Sequence, residues 1–337
     1  MPELRIDPLT GLKTIVAGER ANRPGGGFSA EAPAPLDPDT DPFLEGHEDR
    51  TPPEVYALRA SDSGPDTPGW AVRVVPNLYP ALEAGSKVGG RRSEDIDPLA
   101  GGRGEPDFFA AQPAVGGHEV IINSPKPVTS LRALSPEEVG TAMGVWRERM
   151  RAHSGSAYVH VIVNEGRDAG ASLPHTHSQL YALPFVPAQI ARERERFTAY
   201  ALRTNGRNLL GDLIQEEVRL RERVVAIDDE AVAICPYASR VPFEVQIAPR
   251  TPRKGFEEDG ALGAALVHDV LGRFERVFGA VPPLNLWVRT APSGSEYFCW
   301  RIDVLPRLTK LAGLEMGTGV NLNVMPPEKA AEQLSGA

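Results

Sequence analysis

Residues 158–183 begin Tyr158-Val159-His160-Val161-Ile162-Val163 and continue Asn164-Glu165-Gly166-Arg167-Asp168-Ala169-Gly170-Ala171-Ser172-Leu173-Pro174. They end His175-Thr176-His177-Ser178-Gln179-Leu180-Tyr181-Ala182-Leu183. The first run is β-branched and apolar and predicts a strand; 179–183 predicts another, and a glycine-containing loop joins them. Upstream, Ser135-Pro136-Glu137-Glu138 reads as a capping box with proline at the first helical position, opening a helix to about residue 152. Runs at 55–58, 70–75 and 118–122 look β-like. Downstream, 188–223 reads as charged helix with a break near Gly206. Strands are expected at 224–227, 231–234, 243–247, 285–289 and 298–305, with a helix over 260–277. Strands and helices arranged twice, without regular βαβ alternation, predict an α+β protein of two similar halves, 1–187 and 188–337. Residues 24–53 read as irregular surface chain, and the glycine-rich stretch 84–117 as a long mobile loop.

The chain has 337 residues, enough for one large domain or two packed ones. A net charge of −9 argues against a general nucleic-acid binder, which needs a positive field. Only two cysteines occur, Cys235 and Cys299, which excludes a disulfide framework or a cysteine-rich zinc module; both read as unreactive buried residues. No apolar run has the length of a membrane span or the form of a signal peptide, so a soluble, cytoplasmic protein is expected.

If the end of the 164–179 loop is extended, His175, His177 and Gln179 point to one face, with Thr176 and Ser178 opposite. Backbone N–H groups at Gly166, Gly170 and Ala171 are candidates to cradle phosphate oxygens. Neutral histidine is a competent nucleophile at phosphorus. One histidine can therefore attack a nucleotide α-phosphate, while Gln179 donates to a non-bridging oxygen where charge builds. The other can hold geometry or ligate a metal. The same His-x-His pair also fits a metal site, or two polar residues on a solvated face. His153, His160, His268, Trp146 and Trp287 read as structural.

The segment ending His175-Thr176-His177-Ser178-Gln179 resembles the active site of the galactose-1-phosphate uridylyltransferase family, a branch of the histidine-triad superfamily with a doubled fold. The likeness extends to 5–11, to Arg20-Ala21-Asn22-Arg23-Pro24, to 51–54 and to Val75-Pro76-Asn77-Leu78-Tyr79-Pro80. It continues through His118-Glu119-Val120-Ile121 to Gly313-Leu314-Glu315 and 326–331, nearly the whole chain. The resemblance implies that His177 is the nucleophile. It places Asn77, Asn164, Gly170, Ser172 and Gln179 around the nucleotide and its phosphates, with Arg20 and Arg23 as a contacting pair. Lys310 and Glu315 become contacts from the C-terminal half. A homodimer is a family expectation only.

The metal sites of the family are where the sequence departs. A Cys-x-x-Cys zinc pair is replaced by Asp41-Pro42-Phe43-Leu44, leaving Asp41, His118 and His175 as an incomplete set with His47 nearby; structural zinc wants four ligands and prefers thiolates. At a second site Glu193 matches, but Cys299 and Arg301 stand where histidines would. The nucleophile requires no metal, so no cofactor is expected for the chemistry. Leu78 follows Asn77 where an acidic residue is common, a feature of a divergent branch that includes enzymes acting on ADP-glucose with phosphate as acceptor. The resulting expectation is a nucleotidyltransferase working on a nucleotide-sugar and a sugar 1-phosphate or phosphate. A phosphorylase of ADP-sugars or dinucleoside polyphosphates, and a non-catalytic nucleotide binder, are the alternatives.

Overall fold

The computed structural model describes residues 1–22, 27–59, 63–84, 108–109, 111 and 113–337. Most of the expected loop at 84–117 lies outside the described residues, as does Arg23.

The capping box forms as the sequence requires. Ser135 accepts from the Glu138 N–H, Glu138 accepts from the Ser135 N–H, and α1 runs Pro136–Ala152. Its apolar stripe, Val139, Ala142, Met143, Trp146 and Met150, is buried against the sheet and against α4 (Ala264–Phe278).

Strands β3 (Tyr56–Arg59), β4 (Trp70–Pro76), β5 (Gly117–Ile122), β6 (Tyr158–Glu165) and β7 (His177–Leu183) form one half of a sheet in the order β3-β4-β5-β7-β6. The other half contains β8 (Val224–Ile227), β9 (Ala231–Ile234), β10 (Val245–Pro249), β11 (Leu284–Arg289) and β12 (Arg301–Pro306). From its outer edge inward it runs β8-β9-β10-β12-β11, the same order. Each half is three strands, a helix and two strands, with the last strand inserted before the fourth. They join through β6 and β11, antiparallel, giving ten strands among the described residues in one continuous sheet of an α+β fold.

One face of this sheet is covered by α1 and α4 and holds the main core. The other face is covered differently in each half. Over the C-terminal half lie α2 (Ala188–Arg203) and α3 (Leu209–Leu220), packing Phe197, Leu210 and Ile214 on Val232, Ile234 and Phe298. Leu9 joins that cluster; β1 (Glu3–Ile6) pairs with β2 (Lys13–Val16), which pairs in turn with β13 (Asn321–Asn323). The first residues of the chain therefore pack with the C-terminal half, and Arg5 pairs with Glu328 of α6 (Pro327–Ser335).

Over the N-terminal half the cover formed by the described residues is loop. Residues 24–53, expected to be surface chain throughout, instead bury Asp41, Phe43 and Glu48, with Phe43 packed on Trp70, Val75, Val120 and Ile122. Trp70 Nε1 donates to Glu48 Oε1 at 2.7 Å. A segment without periodicity still supplies buried side chains when a sheet face has no helix on it.

Candidate active site

β7 begins at His177, and strand alternation sets His177 and Gln179 on the loop-covered face. Thr176 and Ser178 turn the other way, into the core: Ser178 Oγ and Trp146 Nε1 of α1 both donate to Asn123 Oδ1. The start of β7 is thus bolted to the helix layer while its opposite face stays free for chemistry.

His177 is 5% exposed. Its Nδ1 lies 2.7 Å from the His175 carbonyl, so Nδ1 carries the proton and donates. No hydrogen bond is made at Nε2 among the described residues, which leaves a lone pair there. Burial pushes the imidazole below the usual histidine range, against the opposing effect of the carbonyl bond. The ring is therefore neutral at pH 7, in the tautomer a nucleophile needs. Phe43 packs on it edge-on at 5.2 Å between ring centres.

Behind it, Asp41 Oδ2 meets His175 Nδ1 at 2.6 Å, and His175 Nε2 lies 2.9 Å from the Ser124 carbonyl. The buried carboxylate thus fixes the residue whose carbonyl fixes His177. Burial raises the Asp41 carboxyl pKa, but the bonds from His175 and the Phe43 N–H outweigh it and the net shift is downward.

The register carries further donors to the same strip. Val163 pairs with Ser178, so one step on Asn164 lies across from His177; Asn285 of β11 pairs directly with Asn164. Asn285 Nδ2 donates to Asn164 Oδ1 at 2.8 Å and to the Ala169 carbonyl at 2.7 Å. That occupies the Asn164 oxygen and turns its amide N–H groups outward. Asn285, Tyr181 and Phe43 were not legible as site residues; alternation along β11 and β7 was the only signal that two of them share the histidine face.

In the 166–172 loop, Gly166 and Gly170 both adopt positive φ (+82° and +88°), and a Cβ on Gly166 would stand 2.9 Å from Pro283 Cβ. The expected N–H cradle is corrected at Gly170 and Ala171. Gly170 N–H donates to the Arg167 carbonyl and Ala171 N–H to the Gly166 carbonyl, because the loop closes on itself as a 3-10 turn. Ser172 is exposed, on the wall of a cavity of about 840 Å³ that also meets Gly166, Arg167, Ala171 and Glu165.

Arg20, Lys310 and Glu315 lie elsewhere in the chain. Arg20 is exposed beside Pro2 and Glu19, Lys310 is exposed, and Glu315 caps the Ala312 N–H at the start of α5 (Gly313–Thr318). No contact among the described residues joins them to the histidine strip.

The residues 1–187 match the family model of the galactose-1-phosphate uridyl transferase N-terminal domain, more than half the chain. The chain belongs to that family. Residues 139–336 also match a domain model of unknown function. Among relatives, an ADP-glucose phosphorylase of Arabidopsis thaliana is 28% identical, covering 98% of this chain and 92% of its own length. A galactose-1-phosphate uridylyltransferase of Haemophilus influenzae is 28% identical, over 99% and 93%. The crystal structure of an Arabidopsis ADP-glucose phosphorylase with bound ADP-glucose superposes with a TM-score of 0.79 at 27% identity, covering 100% of this chain and 99% of that one. The protein is an enzyme of the nucleotidyltransferase kind, and none of its described helices is long and apolar enough to cross a membrane.

Membership of the uridyl transferase family brings the zinc question to a test on these residues. Asp41, His118 and His175 do not come together as a ligand set; among the described residues no three His, Cys, Asp or Glu side chains do. Both His175 nitrogens are committed to oxygens, and His118 Nδ1 accepts the Ala81 N–H at 3.0 Å. This donor set does not fit zinc. At the second family position, Glu193 is fully buried and bound by Arg301 Nη1 at 2.9 Å, so a guanidinium occupies the carboxylate. Cys299 is buried, which pushes its thiol up to about 12 and keeps it protonated.

Proposed function

We propose that this chain is a cytoplasmic nucleotidyltransferase that works through a covalent nucleotidyl-histidine at His177. The observation that carries the reading is the tautomer: Nδ1 held by the His175 carbonyl, with Nε2 free beside Gln179. In the first half-reaction the Nε2 lone pair forms a P–N bond to the α-phosphorus of a nucleoside diphosphate sugar. The bond between that phosphorus and the bridging oxygen breaks, and sugar 1-phosphate leaves with the electron pair. In the second, a phosphate oxygen of the acceptor attacks the same phosphorus and the P–N pair returns to Nε2. Gln179 and Asn164 donate to the non-bridging oxygens, which gain charge as the transfer proceeds. Splitting the reaction lets donor and acceptor use one site in turn. We assign no cofactor to these steps, since the nucleophile is set up by backbone and carboxylate alone.

A second reading concerns the base and acceptor. Leu78 and Tyr79, beside Asn77, are 62% and 85% exposed, an apolar surface where uridylyltransferases commonly hold an acidic residue. An apolar wall suits adenine, and inorganic phosphate would then be the acceptor, as the name of the Arabidopsis relative describes for that protein. We further propose a homodimer, in which the exposed Arg20 and Lys310 and the half-buried Glu315 of one copy serve the site of the other.

Intact mass at neutral pH, after mixing with UDP-glucose, ADP-glucose and GDP-glucose separately, tests the reading, with His177→Ala as control. Acid is avoided because phosphoramidates hydrolyse in it. An adduct with one donor, absent in the variant, names nucleophile and base together. Binding of a donor with no adduct from any of them overturns covalent transfer and leaves a nucleotide-binding protein.

A further inference from the structure

His118 sits on β5 directly across from Tyr181, and its ring stacks on that tyrosine at 4.2 Å between centres. Its Nδ1 accepts the backbone N–H of Ala81 at 3.0 Å. A neutral imidazole with an acceptor at Nδ1 carries its proton at Nε2. That Nε2 stands 3.1 Å from Gln179 Oε1. Tyr181 Oη donates to the same oxygen at 2.8 Å. Asn77 Nδ2 also lies 3.1 Å from Nε2, but the Asn77 oxygen is taken by the Tyr79 N–H, so this approach is donor to donor and is packing rather than a bond.

Two donors therefore fill both lone pairs of the Gln179 oxygen. An amide so held has one orientation, with its NH₂ pointing away from His118 and Tyr181. We propose that His118 is a positioning residue for nucleotidyl transfer: as an Nε2–H donor it fixes, together with Tyr181, the direction in which Gln179 presents its N–H groups to the migrating phosphoryl group. This rests on the reading that Gln179 serves the transfer from His177.

The arrangement makes a chemical prediction. A reversed Gln179 would turn an oxygen towards an anion, so losing the two donors costs rate through Gln179 and through nothing else. Burial holds the His118 imidazole below the usual histidine range, with the Gln179 bond opposing, in keeping with a ring that donates while neutral. The same geometry separates the role from that of a metal ligand, since one ring nitrogen is occupied by a backbone hydrogen and the other carries a proton.

Two measurements test it. Long-range proton–nitrogen NMR of the whole protein reads the His118 tautomer without any turnover. The Nε2–H form is expected; an Nδ1–H or metal-bound ring overturns the proposal even if no substrate has been found. The second is single-turnover adduct formation for His118→Phe, which keeps the stack but removes the donor, and for Tyr181→Phe. Each is expected to slow formation about 10- to 100-fold with little change in KM. His118→Gln, which can accept from Ala81 and donate to Gln179, should recover much of the rate. In a Gln179→Ala background the His118→Phe change should cost nothing further. A cost that persists in that background, a loss confined to KM, or zinc that co-purifies at one per chain and is lost in His118→Phe would overturn the assignment. Absence of any adduct in the unaltered protein strikes the transferase reading instead, and the NMR result still stands for His118.

Discussion

The two halves of the sheet share one strand order and differ at the residues that open their last strands. β7 opens with His177 and Gln179; β12, inserted at the corresponding place, opens with Arg301 and Asp303. Around Arg301 the charges close on each other. It holds Glu193 and Asp303 at 2.9 Å each; Asp303 also accepts from Trp287 Nε1, and Arg240 and Arg289 stand near with Glu244. The charges there face inward on one another: even Arg289 Nε, which makes no hydrogen bond, stands 3.6 Å from Asp303 and 3.7 Å from Glu193. On β7 and the neighbouring β6, by contrast, the partners orient groups and leave one atom of each without a hydrogen bond among the described residues: Nε2 of His177, the NH₂ of Gln179, the NH₂ of Asn164. One architecture has yielded a buried ionic strut in one half and a poised site in the other. The difference lies in whether the polar groups of the strand face buried opposite charges or are left to meet a ligand.

Substitution at the two strand openings should break this comparison in opposite directions. His177→Ala should abolish adduct formation, by at least about four orders of magnitude, as loss of a covalent nucleophile does. Its stability should fall far less than that of an Arg301 variant, since only the Phe43 packing and the Nδ1 bond are lost and no buried charge is left unpaired. Arg301→Met should do the reverse. It leaves Glu193 and Asp303 buried without their cation and should cost about 3–5 kcal/mol in denaturant unfolding. Adding Glu193→Gln to it should recover part of that loss. Comparable losses of stability in both single variants would end the claim that the halves are specialised.

A smaller effect sharpens the comparison at the strand end that feeds the nucleotide loop. Glu165 is buried beneath β7, its Oε1 accepting from the Leu131 N–H and Thr176 Oγ while its Oε2 has no partner. Burial raises its carboxyl to about 7, against the opposing bonds, from an ordinary 4.5. A folded pKa above the unfolded one gives stability that is complete below about 4.5 and lost as pH rises through 7. The shift corresponds to about 3 kcal/mol. Glu165→Gln should therefore stabilise the protein by roughly 2–3 kcal/mol at pH 8, with the gain vanishing near pH 4. An equal gain at both pH values would mean that ionisation is not the cause.

Much of this was legible beforehand, for reasons that differ by element. The capping box, the 3.6-residue stripe of α1 and the β-branched run at 158–163 are local signals, and each element formed where its chemistry placed it. The two-residue alternation puts His177 and Gln179 on one face of β7, whereas His175 sits in a bend before the strand, bound to Asp41. What failed to show was set by tertiary neighbours. Nothing local to Asp41 or Phe43 announces burial, since that depends on a sheet face left without a helix. The Gly170 and Ala171 N–H groups looked available because the sequence does not reveal a loop closing on itself. His118, Asp41 and His175 looked like a ligand set by resemblance. Only the hydrogen bonds show that both ring nitrogens of His118 and of His175 are already engaged.

The smallest expected effect is at Asn285, where the two halves meet. It belongs to β11 of the C-terminal half, yet its amide holds Asn164 and the Ala169 carbonyl of the other half. If the seam contributes to the site, Asn285→Ala should lower the single-turnover rate about 10-fold, roughly the value of one oriented hydrogen bond. Asn285→Asp should do worse. Its carboxylate cannot donate to either oxygen, sets a negative charge beside Asn164, and lets that amide reverse towards the phosphate. A change in KM alone would place Asn285 in binding, and no change at all would make the seam between the halves mere support. The ordering Asp worse than Ala is the discriminating result, since simple loss of packing at this half-buried position predicts the opposite.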